Sequence, residues 1–132
     1  MMQSPQGSTY FEALETDECL ALLRDAGLGR VAWSGAEGLS VMPVNFRMLD
    51  GAIVFHTSEG SPLAALLEST EVAFQVDEID VETRVGWTVL VRGTSGPAAD
   101  AEPASWVPDE RRTGVSIQPR WLGGRVVSGR PA

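Results

Sequence analysis

Asp50-Gly51 is the dipeptide that leaves this chain the fewest choices of fold. It separates two apolar runs, residues 39–49 and 52–57, and an Asp-Gly pair accommodates the positive φ angles of a tight hairpin turn. Flanked by runs rich in Val, Ile, Phe and Met, it predicts an antiparallel ribbon. In a regular first strand Met42, Val44, Phe46 and Met48 face one side, and Pro43, Asn45 and Arg47 the other. Pro43 has no ladder N–H, which places it at an edge, a bulge or a bend.

The ribbon then turns polar, Thr57-Ser58-Glu59-Gly60-Ser61, and Pro62 opens a short helix ending near Glu68. A proline at the first helical position has the right φ and lacks only an N–H that would be orphaned there. Two readings of this bend stand side by side. Ser61 can simply cap the helix; alternatively the hydroxyls of Thr57, Ser58 and Ser61 and the helix N–H groups converge on an anion.

Elsewhere the signals are mostly those of strands. Thr16 is the expected cap of a helix with Asp17 and Glu18 in its first turn, apolar Leu20, Leu23 and Ala26, and Gly27 at its end. Cys19 falls on or beside that apolar stripe with no basic neighbour to lower its pKa, so it reads as a small buried hydrophobe. Strands are expected over residues 29–34, 71–77, 86–93 and within 115–127, the last interrupted by Pro119 and Gly123-Gly124. Trp87, Val89 and Val91 share one face of the strand over residues 86–93, and Thr88, Leu90 and Arg92 the other. The acidic stretch 77–82 reads as a solvated loop. Residues 93–108 read as a connection with one helical turn around 104–107, and residues 1–11 as a lead-in. Few helices and no βαβ alternation make this a mainly β single domain, an antiparallel barrel or sandwich of about six strands.

Composition narrows the chemistry. The formal net charge is −8 and all ten basic residues are Arg. A surface of that sign disfavours nucleic acid, and a chain without lysine cannot form the Schiff base of covalent pyridoxal phosphate catalysis. With one Cys and one His, neither an intrachain disulfide nor a metal cluster of the usual composition can be assembled, and no metal is expected. The N-terminus lacks a basic and apolar leader pattern, and no apolar run is long enough to cross a membrane. A soluble cytoplasmic protein with no membrane or nucleic-acid partner is expected.

Four segments, Gly29-Arg30-Val31-Ala32, Pro43-Val44-Asn45-Phe46, the stretch 50–61 from Asp50-Gly51 to Gly60-Ser61, and 86–93 from Gly86-Trp87 to Arg92-Gly93, together resemble the pyridoxamine 5′-phosphate oxidase-like flavin-binding split barrels, especially the branch of nitroimidazole-resistance proteins. The resemblance spans about residues 15–127 and implies a homodimer with two FMN sites at its interface. It places the isoalloxazine ring along Val44, Asn45 and Phe46, and the phosphate at the turn containing His56, Thr57, Ser58, Ser61 and Pro62. Trp87 would approach from its strand, within the subunit or across the dimer interface. Many such proteins carry Lys where this chain has Pro62, so Arg47, Arg92 or Arg125 would have to supply the missing charge. The implied function is a flavoprotein oxidoreductase acting on an unidentified small molecule, with the cofactor performing the chemistry and no catalytic side chain required. A non-catalytic or weak flavin binder, a haem binder using His56, and a deazaflavin enzyme remain as alternatives. The scarcity of basic residues argues against vitamin B6 oxidation.

Overall fold

The computed structural model of the chain describes residues 10–98 and 113–128. Its elements are β1 (Tyr10–Leu14), α1 (Thr16–Asp25), β2 (Leu28–Gly35), β3 (Gly38–Leu49), β4 (Ala52–Thr57), a 3₁₀ helix (Pro62–Leu67), β5 (Glu71–Ile79), β6 (Val85–Pro97) and β7 (Thr113–Ser128). The helical turn expected around 104–107 lies outside the described residues.

Six strands close a ring. β7, β4, β3, β2, β5 and β6 pair in that order, and β6 pairs back onto β7, all antiparallel. β1 is a seventh strand outside the ring, and it begins at Tyr10, within the stretch read as a lead-in. β4 occupies residues 113–117 of β7 and β1 occupies 124–128, while β6 runs along 115–128. Since β6 fills one edge, β4 and β1 sit at opposite ends of the other. Among the described residues, that edge has no strand over residues 118–123.

The hairpin forms as its dipeptide predicts. Asp50 has φ 51° and Gly51 φ 82°, the two positive values that a type I′ turn needs to match strand twist, and β3 pairs with β4 from Leu49↔Ala52 to Phe46↔Phe55. Strand alternation fills the barrel: Val44 and Phe46 of β3, Val31 and Trp33 of β2, Phe74 of β5, Val89 and Val91 of β6, and Val115 and Ile117 of β7 form one buried cluster. Phe46 and Phe74 meet edge to face at 4.9 Å between ring centroids, the arrangement their quadrupoles favour. α1 adds Cys19 and Leu23 to the cluster.

Four boundaries differ from expectation, each for a local reason. The cap of α1 is Glu15 rather than Thr16, because the Glu15 carbonyl accepts the Cys19 N–H at 3.0 Å and the Glu18 carboxylate accepts the Glu15 N–H at 2.8 Å. The segment after Pro62 is a 3₁₀ helix, its bonds running three residues back, as from Ala64 N–H to the Ser61 carbonyl at 3.0 Å. Half of the acidic stretch is strand: β5 continues through Ile79, and only then does Asp80 close a turn by accepting the N–H groups of Thr83 and Glu82. Those bonds hold its carboxyl below the usual range, so their stabilisation is present at neutral pH and lost as pH falls through that lowered value. Finally, residues 93–97 extend β6 instead of leaving it, and β7 passes Pro119 and Gly123-Gly124 as one strand of 16 residues. A register shift between Arg92 and Gly93 absorbs the irregularity, pairing Arg92 with Trp121 and Gly93 with Pro119. Gly93 is required there because a Cβ would collide with the Gln118 carbonyl oxygen.

No helix among the described residues is long and apolar enough to cross a membrane. Two ion pairs, Arg30–Asp77 at 3.9 Å and Arg120–Glu71 at 3.3 Å, lie on exposed side chains and contribute about 0–1 kcal/mol each. The aromatic pair matters more. Phe74→Ala is expected to lower unfolding free energy by about 3–5 kcal/mol in urea titration; a loss below about 1 kcal/mol would contradict the packing described.

Candidate functional site

β3 changes partners at one point. Its residues 38–45 pair with β2, ending at Leu28↔Asn45, and its residues 46–49 pair with β4, beginning at Phe46↔Phe55. The Phe46 N–H reaches the Gly27 carbonyl at 3.1 Å, prolonging the β2 side by one bond. Beyond Phe55 the β4 chain stays with β7, through His56↔Gly114 and Thr57↔Thr113, and no longer pairs with β3. Among the described residues, the edge of β3 facing β4 therefore has no strand partner over 38–45. A seam opens there, walled by β3 backbone on one side and by residues 56–62 on the other.

Two polar atoms stand where the seam begins. Asn45 and His56 occupy the positions next to the Phe46↔Phe55 pair, on the strand parity opposite to those two core rings. The Asn45 Oδ1 and His56 Nδ1 atoms are buried without a hydrogen-bond partner, and they are the two such side-chain atoms among the described residues. His56 is 8% exposed. A buried polar group left unpaired costs about 1–3 kcal/mol, so two of this kind flanking one strand pair single the place out as a candidate site.

The bend beyond them is partly occupied by its own backbone. Ser61 Oγ accepts the Leu63 N–H at 3.1 Å, and the Ser58 carbonyl accepts the Ser61 N–H at 3.1 Å, so Ser61 does cap its helix. That bond uses the Ser61 oxygen as acceptor and leaves its hydroxyl proton to donate elsewhere. Ser58 is half-buried. Thr57 differs: at 1% exposure, and on the strand parity of Ile53 and Phe55, it turns its side chain to the core and offers the seam only backbone. The side chains of Val44 and Phe46 likewise belong to the core, leaving their backbone to the seam. Pro62 lines a cavity of about 270 Å³ with Trp33, Gly35, Glu37, Ser40, Gly60 and Ala65, where the β2–β3 hairpin meets the bend.

Trp87 is not gathered with these residues. It lines a separate cavity of about 320 Å³ with Leu22, Asp25, Leu28 and Val76, and its link to the seam is Leu28, the strand partner of Asn45. Of the arginines expected to replace a lysine charge, Arg92 lies over the Trp121 ring at 4.6 Å, Arg125 stands between Ala13 of β1 and Thr88 of β6, and Arg47 is exposed two positions from Asn45 on the same parity. Cys19 is wholly buried, and burial and then the Glu18 charge push its thiol upward, away from nucleophilic use. The residues that sequence reasoning missed are Trp33, Glu37, Ser40 and Ala65. The cross-hairpin pairing Trp33↔Ser40 follows from treating Gly35 and Gly38 as the ends of a two-residue turn, a signal present in the chain.

Comparison with known proteins agrees with this architecture. The model of the pyridoxamine 5′-phosphate oxidase family matches residues 15–127, and the chain belongs to that family. It is 29% identical over 139 residues to the uncharacterized protein Rv0080 of Mycobacterium tuberculosis, across 95% of this chain and 91% of that protein. Among solved structures it resembles the FAD binding protein from Mycobacterium smegmatis, with TM-score 0.70 and 30% identity over 89% of this chain and 98% of the other. It also shares the fold of the FAD and heme binding protein from Mycobacterium smegmatis, with TM-score 0.68 and 18% identity over 89% and 74% of the two chains.

The two unpartnered atoms give the site a signature that needs no ligand to test. In ligand-free protein His56→Leu is expected to leave stability within about 1 kcal/mol of the parent, or to raise it, because an apolar group replaces an unsatisfied one. A loss above about 2 kcal/mol in urea titration would mean that the ring is structurally partnered.

Proposed function

We propose that this protein binds a flavin along the seam between β3 and β4 and works as a flavoprotein oxidoreductase on a small molecule. The observation that carries the reading is the two buried, unpartnered atoms, Asn45 Oδ1 and His56 Nδ1, on the residues that flank the last β3–β4 pair, where the strand edge becomes unpaired among the described residues. An isoalloxazine ring is apolar on its faces and alternates hydrogen-bond donor and acceptor along its pyrimidine edge. It therefore suits backbone at residues 43–46 flanked by an amide oxygen and an imidazole nitrogen. The bend supplies the phosphate contacts: the hydroxyls of Ser58 and Ser61, and backbone N–H groups within residues 58–60, since those of Ser61, Leu63 and Ala64 are already bonded within the bend. FMN, the cofactor implied by the resemblance, and FAD share all of these groups, and the FAD-binding relative supports a flavin of either kind.

A bound flavin would supply electron or hydride transfer; the chain's task is to bind it, fix its orientation and restrict water at one ring face. A second copy of the chain completes that shielding. Leu39 is 90% exposed and Val41 61% exposed; both lie on the outward parity of β3 beside the seam, with exposed Leu28 on neighbouring β2. Apolar side chains in a patch of that kind mark an association surface, and a homodimer across it would cover patch and seam together. The single buried thiol and the absence of a disulfide suit a reducing cytoplasm.

A haem reading has one observation in its favour, the unpartnered nitrogen of the chain's only histidine. Haem titration of the parent and of His56→Ala separates it: an identical Soret shift in both removes axial ligation by His56.

Purified protein titrated with FMN or FAD is expected to retain a yellow chromophore through gel filtration and to run as a dimer in native mass spectrometry. At a hundredfold excess over the dissociation constant, flavin should add about 2.7 kcal/mol to unfolding free energy. Val41→Glu is expected to yield monomers that release the flavin. Parent protein that takes up no flavin at micromolar concentration would overturn the proposal, and a dimer unaffected by Val41→Glu would place the interface elsewhere.

A further inference from the structure

The residue registered with His56 on β7 is a glycine, Gly114. We infer that Gly114 is a positioning residue for the seam: its missing side chain lets the His56 imidazole lie back over β7, which keeps the mouth beside Asn45 open to a flavin and leaves Nδ1 as the nitrogen offered to it. The inference rests on the flavin reading above and gives a part in it to a residue that itself touches no ligand.

β4 lies between β3 and β7 in the sheet. Five β7 residues pair with it, Thr113, Gly114, Val115, Ser116 and Ile117, and only the glycine stands beside the imidazole. Backbone conformation does not demand it, because φ at Gly114 lies outside the left-handed region that favours glycine. A glycine inside a strand gives up side-chain packing, and where the dihedrals do not require it the usual reason is a close approach. That approach is present. A Cβ at Gly114 would lie 3.1 Å from His56 Nε2 and 2.7 Å from the Ala98 carbonyl oxygen, and the Ala98 N–H is bonded to the Gly114 carbonyl at 3.0 Å. Position 114 is closed by backbone on one side and by the imidazole on the other.

Of those two walls the ring is the one that can rotate. The Ala98 carbonyl belongs to backbone bridged to β7, so a methyl group at 114 would drive the imidazole off β7, towards the β3 side of its strand. Asn45 is there. Asn45 Oδ1 and His56 Nδ1, both unpartnered, belong to the residues that flank the last β3–β4 pair, so a ring displaced that way narrows the gap a ligand would enter. The two imidazole nitrogens have separate surroundings: Nε2 is set against β7, and Nδ1 is left over. Support of this kind fixes the direction of a binding group without adding a contact to the ligand.

The chain has one histidine, so the imidazole protons give a single unambiguous set of NMR signals in ligand-free protein. In the parent they are expected to show Overhauser contacts with the Gly114 α-protons, and in Gly114→Ala those contacts move to Asn45. A parent ring without contact to Gly114 would overturn the inference. FMN titration of the parent, Gly114→Ala, His56→Ala and the double variant then separates ring from backbone as a double-mutant cycle. Gly114→Ala is expected to weaken FMN binding by about tenfold or more where His56 is present, and by less than about twofold in the His56→Ala background. An equal loss in both backgrounds would assign the effect to the Ala98 carbonyl and overturn the inference, as would no loss in either. If Gly114→Ala fails to fold by circular dichroism, the double variant decides: it folds if the ring was the obstacle, and its failure overturns the inference. If His56→Ala binds FMN too weakly to titrate, the NMR contacts of Gly114→Ala decide, and a ring still against residue 114 overturns it. A parent that shows the Overhauser contacts but takes up no FMN marks the failure of the flavin reading itself, and the positioning role falls with it.

Discussion

The change of partner at Asn45 and Phe46 is the constraint from which the site follows. A six-stranded ring closes only if its strands tilt and stagger, and here β3 meets that demand by pairing with β2 over its first eight residues and with β4 over its last four. Backbone groups cannot be buried unpaired without cost, so the edge of residues 38–45, which has no strand partner among the described residues, must face solvent, a ligand or further polypeptide. The apolar side chains of Leu39 and Val41 beside it make permanent exposure to water the least favourable of the three.

What lines that edge shows a division between groups the fold uses and groups it leaves over. Val44, Phe46 and Thr57 point into the barrel and serve packing; Ser61 caps the 3₁₀ helix. Asn45 and His56 do neither. They occupy covered positions where a leucine or valine would cost less, and their persistence as polar groups is the kind of departure from packing rules that functional sites display. The bend plays both parts, since the serine oxygen that accepts from Leu63 still has a proton to give.

Much of this was legible in the chain before any coordinates. Asp50-Gly51 specified the central hairpin, and the alternation of Met42, Val44 and Phe46 against Pro43, Asn45 and Arg47 named the core face correctly. The same alternation, carried on from Ile53 and Phe55, turns Thr57 inward, which a count of hydroxyls in the bend overlooks. β1 was hidden because its partner is the far end of β7, more than a hundred residues away, and nothing local marks a short edge strand of that kind. The length of β7 was obscured by Pro119 and Gly123-Gly124, residues that normally break strands, since a single register shift at Arg92 and Gly93 accommodates them. Trp33 and Ser40 became neighbours of Pro62 only through three-dimensional folding of a hairpin tip onto a bend, a juxtaposition that no spacing rule reports.

β4 is covered along all six of its residues and hydrogen-bonded on both edges, to β3 through residues 52–55 and to β7 through residues 53–57. The bend that follows it is short, and Glu59 and Gly60 in it are exposed. The two differ in what holds them: β4 has ladder bonds and packing on every residue, while the bend keeps exposed backbone, the kind of difference that separates slowly opening from readily opening segments. His56 is thus presented by a fully buried strand paired on both edges, and the serines by a partly exposed bend. A cleft built this way would pair a fixed jaw, which sets what can be admitted, with a more yielding one on the other side.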